Sequence, residues 1–378
     1  MSVTDINKAR RLDRSGSPVD PDDAVDSEHT ATGRTAAPAR GFRHTSRVST
    51  HSSDADTATA VPTSGRGVKL AKISRRGDRI FFGSAAGSGV VIVLLVLFVG
   101  LFLLALALPS LAADKANFLA SSEWKVAGNE LRFGIAGLLW TTVLSSVVAM
   151  AIAVPIAIGV ALFVTQYVPR RVAGPLAFMV DLLAAVPSIV FGLWGIAVLA
   201  PRLQPVTRWL SDTLGWFPLF RPGLTSDGTV FVAAVVLAIM ILPIVSAISR
   251  DVFERTPRDQ MEAALALGAT RWEMIRTAVL PYGRSGVISA SMLGLGRALG
   301  ETVAVMIILA QPSEGERFNP SLFAGGETFA SKIANNAQEF DSPSKTGAYI
   351  ASGLVLFLVT FVVNALARVI AERGGAKS

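Results

Sequence analysis

The stretch of sequence that decides the fold lies at residues 256–281 and reads TPRDQMEAALALGATRWEMIRTAVLP. Thr256 is a favourable N-cap residue, and Pro257 suits the first position of a helix because its missing N–H needs no partner there. This first helix is predicted to run to about Leu267 and to stop at Gly268, since glycine readily adopts the left-handed conformation that ends many helices. The first half of the stretch therefore encodes one short helix with a defined end.

The second half of the stretch encodes another short helix. Thr270 and Glu273 have the spacing of a capping box, in which each side chain bonds to the backbone N–H of the other residue, and Pro281 is predicted to close the helix. Two short helices joined by a bend would form a compact knob, residues 256–281. Its expected apolar contacts are Leu265, Trp272, Met274 and Ile275. The alternative is an ordinary amphipathic connector that lies on a membrane surface.

Long apolar runs flank the knob on both sides. Of the 378 residues, 51% are hydrophobic and 17% are charged, whereas soluble domains carry about 25% charged residues. Each run reaches the ~20 residues that a membrane-spanning helix needs. The predicted fold class is therefore all-α, an integral membrane protein with six transmembrane helices. The six predicted spans are residues 81–110, 138–165, 176–200, 230–248, 286–310 and 347–368.

The distribution of basic residues orients these spans. Lys and Arg favour the cytoplasmic side of a membrane, and here they lie mainly in the N-terminal tail, in the loops at 166–175 and 249–285, and in the C-terminal tail. The loops at 111–137, 201–229 and 311–346 balance their basic residues with acids and are predicted to be outside. Both termini and the knob would then be cytoplasmic. Aromatic residues in the second outer loop suit short interfacial segments: Trp209, Trp216 and Phe217.

The two ends of the chain differ in composition from the spans. Residues 1–65 are predicted to be a disordered cytoplasmic tail, because such a polar segment cannot bury enough apolar surface to offset its ordering entropy. A basic juxtamembrane segment follows at residues 66–80 and suits anionic lipid headgroups. The transmembrane domain is predicted at residues 81–370, and residues 371–378 form a short cytoplasmic tail.

The composition excludes several classes of chemistry. The chain has no cysteine, and its three histidines, His29, His44 and His51, all lie in the N-terminal tail. A thiol site or a histidine-built site in the membrane is therefore ruled out, and no metal or cofactor is expected on this chain. No stretch has the GxxxxGK[ST] pattern of a nucleotide-binding P-loop. The chain is predicted not to be an enzyme, and nucleic acid is not an expected partner because the basic residues lie beside apolar spans.

An ionisable pair lies inside the fifth predicted span. A charge in the middle of a bilayer is costly, so we hypothesise that Arg297 has a functional role. Glu301 stands four residues later and would share its helix face. The planar guanidinium matches the oxygens of phosphate or sulfate, which makes Arg297 a candidate contact in an oxyanion pathway, with Glu301 compensating its charge when no anion is present. The alternative is a structural ion pair that locks two helices together.

The third predicted span contains two residues that disturb helices. Pro187 and Gly192 can kink or loosen a membrane helix, which would suit a gate, or they can serve packing alone. Asp181 is expected near the cytoplasmic end of this span, as a helix-end or partner contact rather than a substrate ligand.

The knob resembles the EAA loop of ABC-importer permeases. Six residues stand at the spacing of that family: Glu262, Ala263, Ala264, Gly268, Leu280 and Pro281. Ala278 departs from the Ile that the family usually has two residues before the Leu. The resemblance implies a type I ABC-importer permease fold, in which the knob docks in a groove on a cytoplasmic ATPase subunit and transmits its closure to the membrane helices. ATP and Mg²⁺ would be used by that partner ATPase.

The third and fifth spans resemble those of phosphate ABC-transporter permeases. Residues 297–301, RALGE, are shared with sulfate and molybdate permeases, and the continuation to residue 305 is more similar to the phosphate branch. Residues 181–195, DLLAAVPSIVFGLWG, resemble the C-type subunit (PstC) of the phosphate system, and the resemblance covers residues 70–375. It implies a permease subunit in a prokaryotic cytoplasmic membrane that imports inorganic phosphate. The implied partners are a PstA-type permease, a dimer of PstB-type ATPases and an extracytoplasmic PstS-type phosphate-binding protein.

Other functions stay open on the sequence alone. The chain could be a permease for another oxyanion, namely sulfate or molybdate. A secondary anion transporter would run on ion gradients and would often show inverted repeats, which we do not detect. A membrane-embedded sensor or scaffold is the third alternative. Phosphate systems of this family are also tied to phosphate-starvation signalling, so a signalling role could coexist with transport.

Overall fold

A computed structural model of the chain describes residues 75–126, 130–223, 227–312 and 318–375. The predicted tail at residues 1–65, most of the basic segment at 66–80 and the last three residues lie outside the described residues. The described part is helical apart from loops and one two-stranded antiparallel sheet. It has the all-α architecture that the apolar runs predict.

The elements follow one another in this order. The first part contains α1 Arg75–Ala113, β1 Trp124–Lys125, β2 Arg132–Phe133 and α2 Ala136–Leu162, which a π-helical turn Phe163–Tyr167 extends. The middle contains α3 Arg170–Leu183, α4 Ser188–Trp194, a π-helical turn Gly195–Leu199, α5 Ala200–Leu214, a 3₁₀ turn Pro218–Phe220 and α6 Val230–Glu254. The last part contains α7 Arg258–Ala266, α8 Arg271–Met274, a π-helical turn Ile275–Val279, α9 Leu280–Gly300, α10 Val303–Ile308, α11 Phe329–Asn335, a 3₁₀ turn Ala337–Glu339 and α12 Pro343–Gly375.

Five helices in the described part are long and apolar enough to cross a membrane. They are Arg79–Ala113, Ala136–Tyr167, Ser188–Leu214, Val230–Glu254 and Pro343–Val369. Four of them confirm the predicted spans at 81–110, 138–165, 230–248 and 347–368. The other two predicted spans are each interrupted.

The ends of the helices gather at two opposite ends of the bundle. At the first, the outer end, Ser110 Oγ near the end of α1 donates a hydrogen bond to the carbonyl oxygen of Ser344 at the start of α12 (2.8 Å). The Val230 amide at the start of α6 donates to the carbonyl oxygen of Ala324 in the third predicted outer loop (3.0 Å). At the second, the knob end, the last turns of α2 and α6 pack against α8. This arrangement agrees with the predicted alternation of outer loops and cytoplasmic knob.

The predicted single helix at residues 176–200 is wrong, because this passage of the chain through the bundle consists of two helices. α3 ends at Leu183 and α4 begins at Ser188. The cause is Pro187, which has no N–H to donate and disfavours a helical backbone in the residue before it. The apolar helix then continues through a π-helical turn and reaches Leu214, inside the region 201–229 that the sequence predicts to be a loop.

The two pieces of this passage still cross the bundle together. Asp181 near the end of α3 pairs with Arg250 at the knob end of α6. Gly195, just after α4, lies against Val236 in the outer half of α6. The chain therefore crosses the bundle where the apolar pattern predicts. The break between α3 and α4 lies between the two contacts with α6.

The predicted single helix at residues 286–310 is also wrong. α9 ends at Gly300 and α10 begins at Val303. α9 contains Gly, Ser and Arg in place of a continuous apolar run, and it packs against α2, α6 and α12. A Cβ added at Gly294 would stand 2.9 Å from Val245 Cγ2, so a small residue lets α9 approach α6 closely.

The main apolar core joins α2, α4, α6 and α10. Its members include Ala149, Phe191, Val236, Ile241 and Ile308. A second, aromatic cluster at the outer end includes Trp124, Phe133 and Tyr349, and it ties the two-stranded sheet to α12. α1 leaves most of its apolar side chains exposed, as expected of a helix that faces lipid or a neighbouring subunit.

Candidate functional site

The first helix of the knob ends as its glycine predicts. Gly268 has φ +87. Its amide donates to the carbonyl oxygen of Leu265 (3.0 Å), and the Ala269 amide donates to the carbonyl oxygen of Ala264 (3.2 Å). This pair of bonds is the Schellman arrangement, which satisfies the last carbonyl groups of a helix and turns the chain sharply. The predicted bend between the two helices is confirmed.

The start of the first knob helix differs from the prediction. Pro257, not Thr256, occupies the N-cap position, and it makes no side-chain capping bond. The Thr256 amide donates to the carbonyl oxygen of Phe253, so this residue belongs to the turn that closes α6. Thr256 Oγ1 is buried there without a hydrogen-bond partner. The helix therefore begins one residue later than predicted.

The second knob helix has the predicted capping box. The Thr270 amide donates to Glu273 Oε2 (2.8 Å), and the Glu273 amide donates to Thr270 Oγ1 (3.3 Å). Bonds from the Thr270 amide and hydroxyl to the carboxylate lower the pKa of Glu273 from its usual value. The box fixes the direction in which α8 leaves the bend.

Pro281 does not close the second knob helix. α8 continues through the π-helical turn into α9, and Pro281 lies in the first turn after that widened segment. The Leu280 amide donates to the carbonyl oxygen of Ile275, five residues earlier. A widened turn makes room for a proline ring and its missing N–H, which a regular helix interior does not. The knob is thereby continuous with the helix that carries Arg297.

The knob has an exposed edge and a buried side. Leu267 is 89% exposed, Trp272 57% and Leu265 43%. Met274 and Ile275, predicted as apolar contacts of the knob, are instead buried in a cluster with the last turns of α2 and α6. Four residues of the EAA pattern are exposed: Glu262, Ala263, Gly268 and Pro281. The other two, Ala264 and Leu280, are half-buried.

The two helices that carry the knob are packed against each other at very short range. A Cβ added at Gly283 would stand 2.5 Å from the Phe253 ring, and one added at Gly286 would stand 2.4 Å from Val252 Cγ2. Real Cβ atoms do not approach so closely, so α6 and α9 depend on these glycines for their contact. α6 and α9 are therefore in close contact beside the knob.

Arg297 lies in the last turn of α9 and is half-buried. Its Nε is buried and has no hydrogen-bond partner, and no ion pair involves this residue in the described part of the chain. An arginine normally satisfies its donors when it is buried. Arg297 therefore presents an unused donor at the point where α9 stops.

Glu301 does not share a helix face with Arg297. It is the C-cap residue of α9, with extended backbone (φ −68, ψ 124). Its Oε1 accepts a hydrogen bond from the Ala304 amide (3.3 Å) and so caps the start of α10. The predicted pairing on one face is wrong, because the chain leaves the helix at Glu301 and the carboxylate satisfies a free amide of the next helix.

The two interrupted passages meet at α4 and α10. A Cβ added at Gly192 would stand 3.0 Å from Ala304 Cα and 3.2 Å from its carbonyl oxygen. Gly192 lies inside α4 and allows this close approach, so packing is its structural role here. Pro187 stands at the break before α4. That either residue serves as a gate stays a prediction.

Asp181 has a partner that the sequence analysis did not identify. Its Oδ2 lies 2.9 Å from Arg250 Nη2 of α6. Nothing in the spacing of two residues in different passages indicates this contact. A polar cluster at the outer end was missed for the same reason: Lys332 pairs with Glu327 (2.8 Å) and lies 5.3 Å from the centre of the Trp124 ring.

The chain matches known proteins over most of its length. Residues 153–374 match the family model described as binding-protein-dependent transport system inner membrane component. The chain is 56% identical over 302 residues to the phosphate transport system permease protein PstC 2 of Mycobacterium tuberculosis, covering 79% of this chain and 93% of that protein. The PstC protein of Mycobacterium leprae is also 56% identical over 302 residues, with 79% and 94% covered. That of Mesorhizobium japonicum is 36% identical over 306 residues, with 80% and 92% covered.

Proposed function

This chain belongs to the family of binding-protein-dependent transport system inner membrane components, and from that premise we propose that it carries inorganic phosphate inward across the membrane. It is a multi-pass inner membrane protein and a permease subunit of an ABC importer. The ATPase of such a system is a separate subunit. The relatives named as phosphate transport permeases support phosphate as the substrate, and the finer location proposed is a prokaryotic cytoplasmic membrane.

The observation that carries the proposal is the unpaired Nε of Arg297. Placing a guanidinium inside a membrane bundle is expensive unless the charge meets a partner. The described residues supply no such partner, and a planar guanidinium fits two oxygens of a phosphate ion. Arg297 is therefore proposed to contact the anion during passage.

Glu301 has a different proposed role from the one that the spacing indicates. Its carboxylate caps α10 at the break that follows the helical turn carrying Arg297. Arg297 is consequently not neutralised by Glu301 in this conformation. We propose that Glu301 sets the geometry of the break, while Arg297 meets the anion.

The knob is the proposed docking element for the ATPase. Its exposed edge of Leu265, Leu267 and Trp272 offers apolar surface on a rigid support, as an insertion into a groove on a partner requires. Hydrolysis of ATP with Mg²⁺ takes place on that partner. The remaining proposed partners are a PstA-type permease, a second copy of the PstB-type ATPase and a PstS-type binding protein that delivers phosphate.

The test is uptake of labelled phosphate into proteoliposomes that contain the assembled complex. Uptake should require ATP, should stop with vanadate and should be reduced less by sulfate or molybdate than by unlabelled phosphate. Arg297→Gln should abolish uptake while the ATPase still co-purifies. Arg284→Gln is the matched control, because it changes an exposed arginine of the same helix.

Three results would contradict the proposal. Normal phosphate uptake by the Arg297→Gln variant would show that Arg297 does not contact the anion during transport. Stronger competition by sulfate than by unlabelled phosphate would indicate that sulfate, not phosphate, is the substrate. Uptake that follows an ion gradient without the ATPase would indicate a secondary transporter.

A further inference from the structure

One ion pair in the described part of the chain joins two passages through the bundle. Arg250 Nη2 lies 2.9 Å from Asp181 Oδ2, and the side chains are 12% and 41% exposed respectively. The other four ion pairs of the described residues join loop or helix-end residues at the outer end. The proposed anion pathway does not use the Asp181–Arg250 pair.

The Asp181–Arg250 pair lies at the knob end of the bundle, where a movement of the knob would first reach the membrane helices. Arg250 is one turn before the end of α6 at Glu254, and the knob follows directly. Asp181 is within the last turn of α3, immediately before the break that precedes α4. The ion pair thus connects the helix that carries the knob to the passage that packs against α10.

α6 is connected to α9 and to α3 by different kinds of contact. Its contact with α9 is steric, through the closely packed Gly283 and Gly286, so those two helices move as one body. In α3 no residue is buried, and apolar packing therefore holds it only weakly. The ion pair supplies the specific connection between α6 and α3.

Asp181 and Arg250 are in contact at a single point. One carboxylate oxygen of Asp181 is bonded to Arg250, whereas Oδ1 is buried without a hydrogen-bond partner. A two-point contact between arginine and carboxylate fixes orientation as well as distance, and a single contact fixes distance alone. The break at residues 184–187 provides a second point at which the segment can turn.

We infer that Asp181 and Arg250 form a coupling strut. When α6 moves with the knob, the ion pair displaces α3, α4 follows, and the contact of Gly192 with Ala304 shifts the break beside Arg297. Both residues are positioning residues, since neither touches the substrate. The inference rests on the proposed function in one respect, that a partner ATPase drives the knob.

The absence of cysteine from the sequence makes the movement measurable. Spin labels at Val147→Cys on α2 and Val190→Cys on α4 would replace side chains that are 55% and 49% exposed. In the assembled complex, vanadate trapping should change the distance between the labels. Asp181→Ala should abolish this change while the ATPase still co-purifies and hydrolyses ATP.

Transport provides a second readout. Asp181→Ala and Arg250→Ala should each lower the phosphate imported per ATP by about 5- to 10-fold. The double variant should lower it no further, because both single changes remove the same interaction. It also leaves neither charge unpaired, so it decides the matter if a single variant fails to assemble. Asp341→Asn, which removes an exposed local pair with Lys345, should leave both readouts unchanged.

The strut is overturned if the assembled double variant keeps either the label displacement or the phosphate-to-ATP ratio of the unmodified complex. That result would leave the proposed function intact. Failure of the unmodified complex to import phosphate would contradict the proposed function instead, and the label distances would still decide whether the strut exists.

Discussion

The knob and the break between α9 and α10 are both places where one helix stops and another starts, but different contacts hold them. The bend of the knob depends on Gly268 and on the Thr270–Glu273 box, all within a few residues of one another. At the break, the local contacts are the bond from the Ala304 amide to Glu301 and the bond from Thr302 Oγ1 to the Gly300 carbonyl oxygen. Ala304 is otherwise positioned by Gly192, which belongs to a different passage.

This difference separates a rigid part of the molecule from an adjustable one. A turn that carries its own capping bonds keeps its shape when it is pushed, so the knob can transmit force. The break also has local bonds, but it is packed in addition against α4, so we expect it to change when that helix moves. Arg297 stands beside the adjustable part, where a displacement of α4 would alter what the guanidinium can reach.

The largest expected effect comes from filling the contact between α4 and α10. In Gly192→Val, the new Cβ would meet backbone atoms of Ala304 at 3.0 and 3.2 Å, and backbone atoms cannot turn away as a side chain can. Overpacking of this kind costs about 1–3 kcal/mol. We expect a lower midpoint of thermal unfolding for the purified complex and at least partial loss of phosphate uptake.

The control for this change is Gly174→Val in α3, where no atom lies within 4 Å of the added Cβ. It should leave uptake and the unfolding midpoint close to those of the unmodified complex. Equal behaviour of the two variants would show that the break does not depend on the approach of α4.

The same contrast explains which features the sequence could predict. The bend at Gly268 and the box at Thr270 and Glu273 follow from residues that are adjacent in sequence, so their spacing is sufficient to predict them. The apolar runs likewise predict where the chain crosses the bundle. Two local predictions are wrong. Thr256 is not the N-cap, because it belongs to the turn that closes α6. Pro281 does not end the second knob helix, because the π-helical turn before it lets the helix continue into α9.

The features that the sequence did not predict depend on contacts between distant segments. The helix break at Glu301 contains no proline, and its shape involves Gly192 of another passage. The pairing of Asp181 with Arg250 has no local signal either. Met274 and Ile275 are buried because the ends of α2 and α6 happen to lie beside them, and a short amphipathic segment cannot indicate which neighbour covers it.

An intermediate effect is expected at the bend of the knob. Gly268→Ala places a Cβ where nothing lies within 4 Å, so its cost is conformational and arises from φ +87 alone. That cost is about 1–2 kcal/mol. The variant should retain less ATPase during purification than the unmodified chain does. Gly268→Asn should retain more than Gly268→Ala, because asparagine tolerates the left-handed conformation better, and the reverse order would show that the bend does not limit docking.

The smallest expected effect distinguishes the two roles considered for Glu301. Glu301→Ala removes the acceptor of the Ala304 amide, and loss of a helix cap costs about 1 kcal/mol. Glu301→Gln removes the charge but keeps an oxygen that can accept the same bond. If the carboxylate acts as a cap, the Gln variant should have the higher unfolding midpoint and the higher phosphate uptake of the two. Equal loss of uptake in both variants, with the Gln variant still the more stable, would mean that the negative charge itself takes part in anion passage beside Arg297.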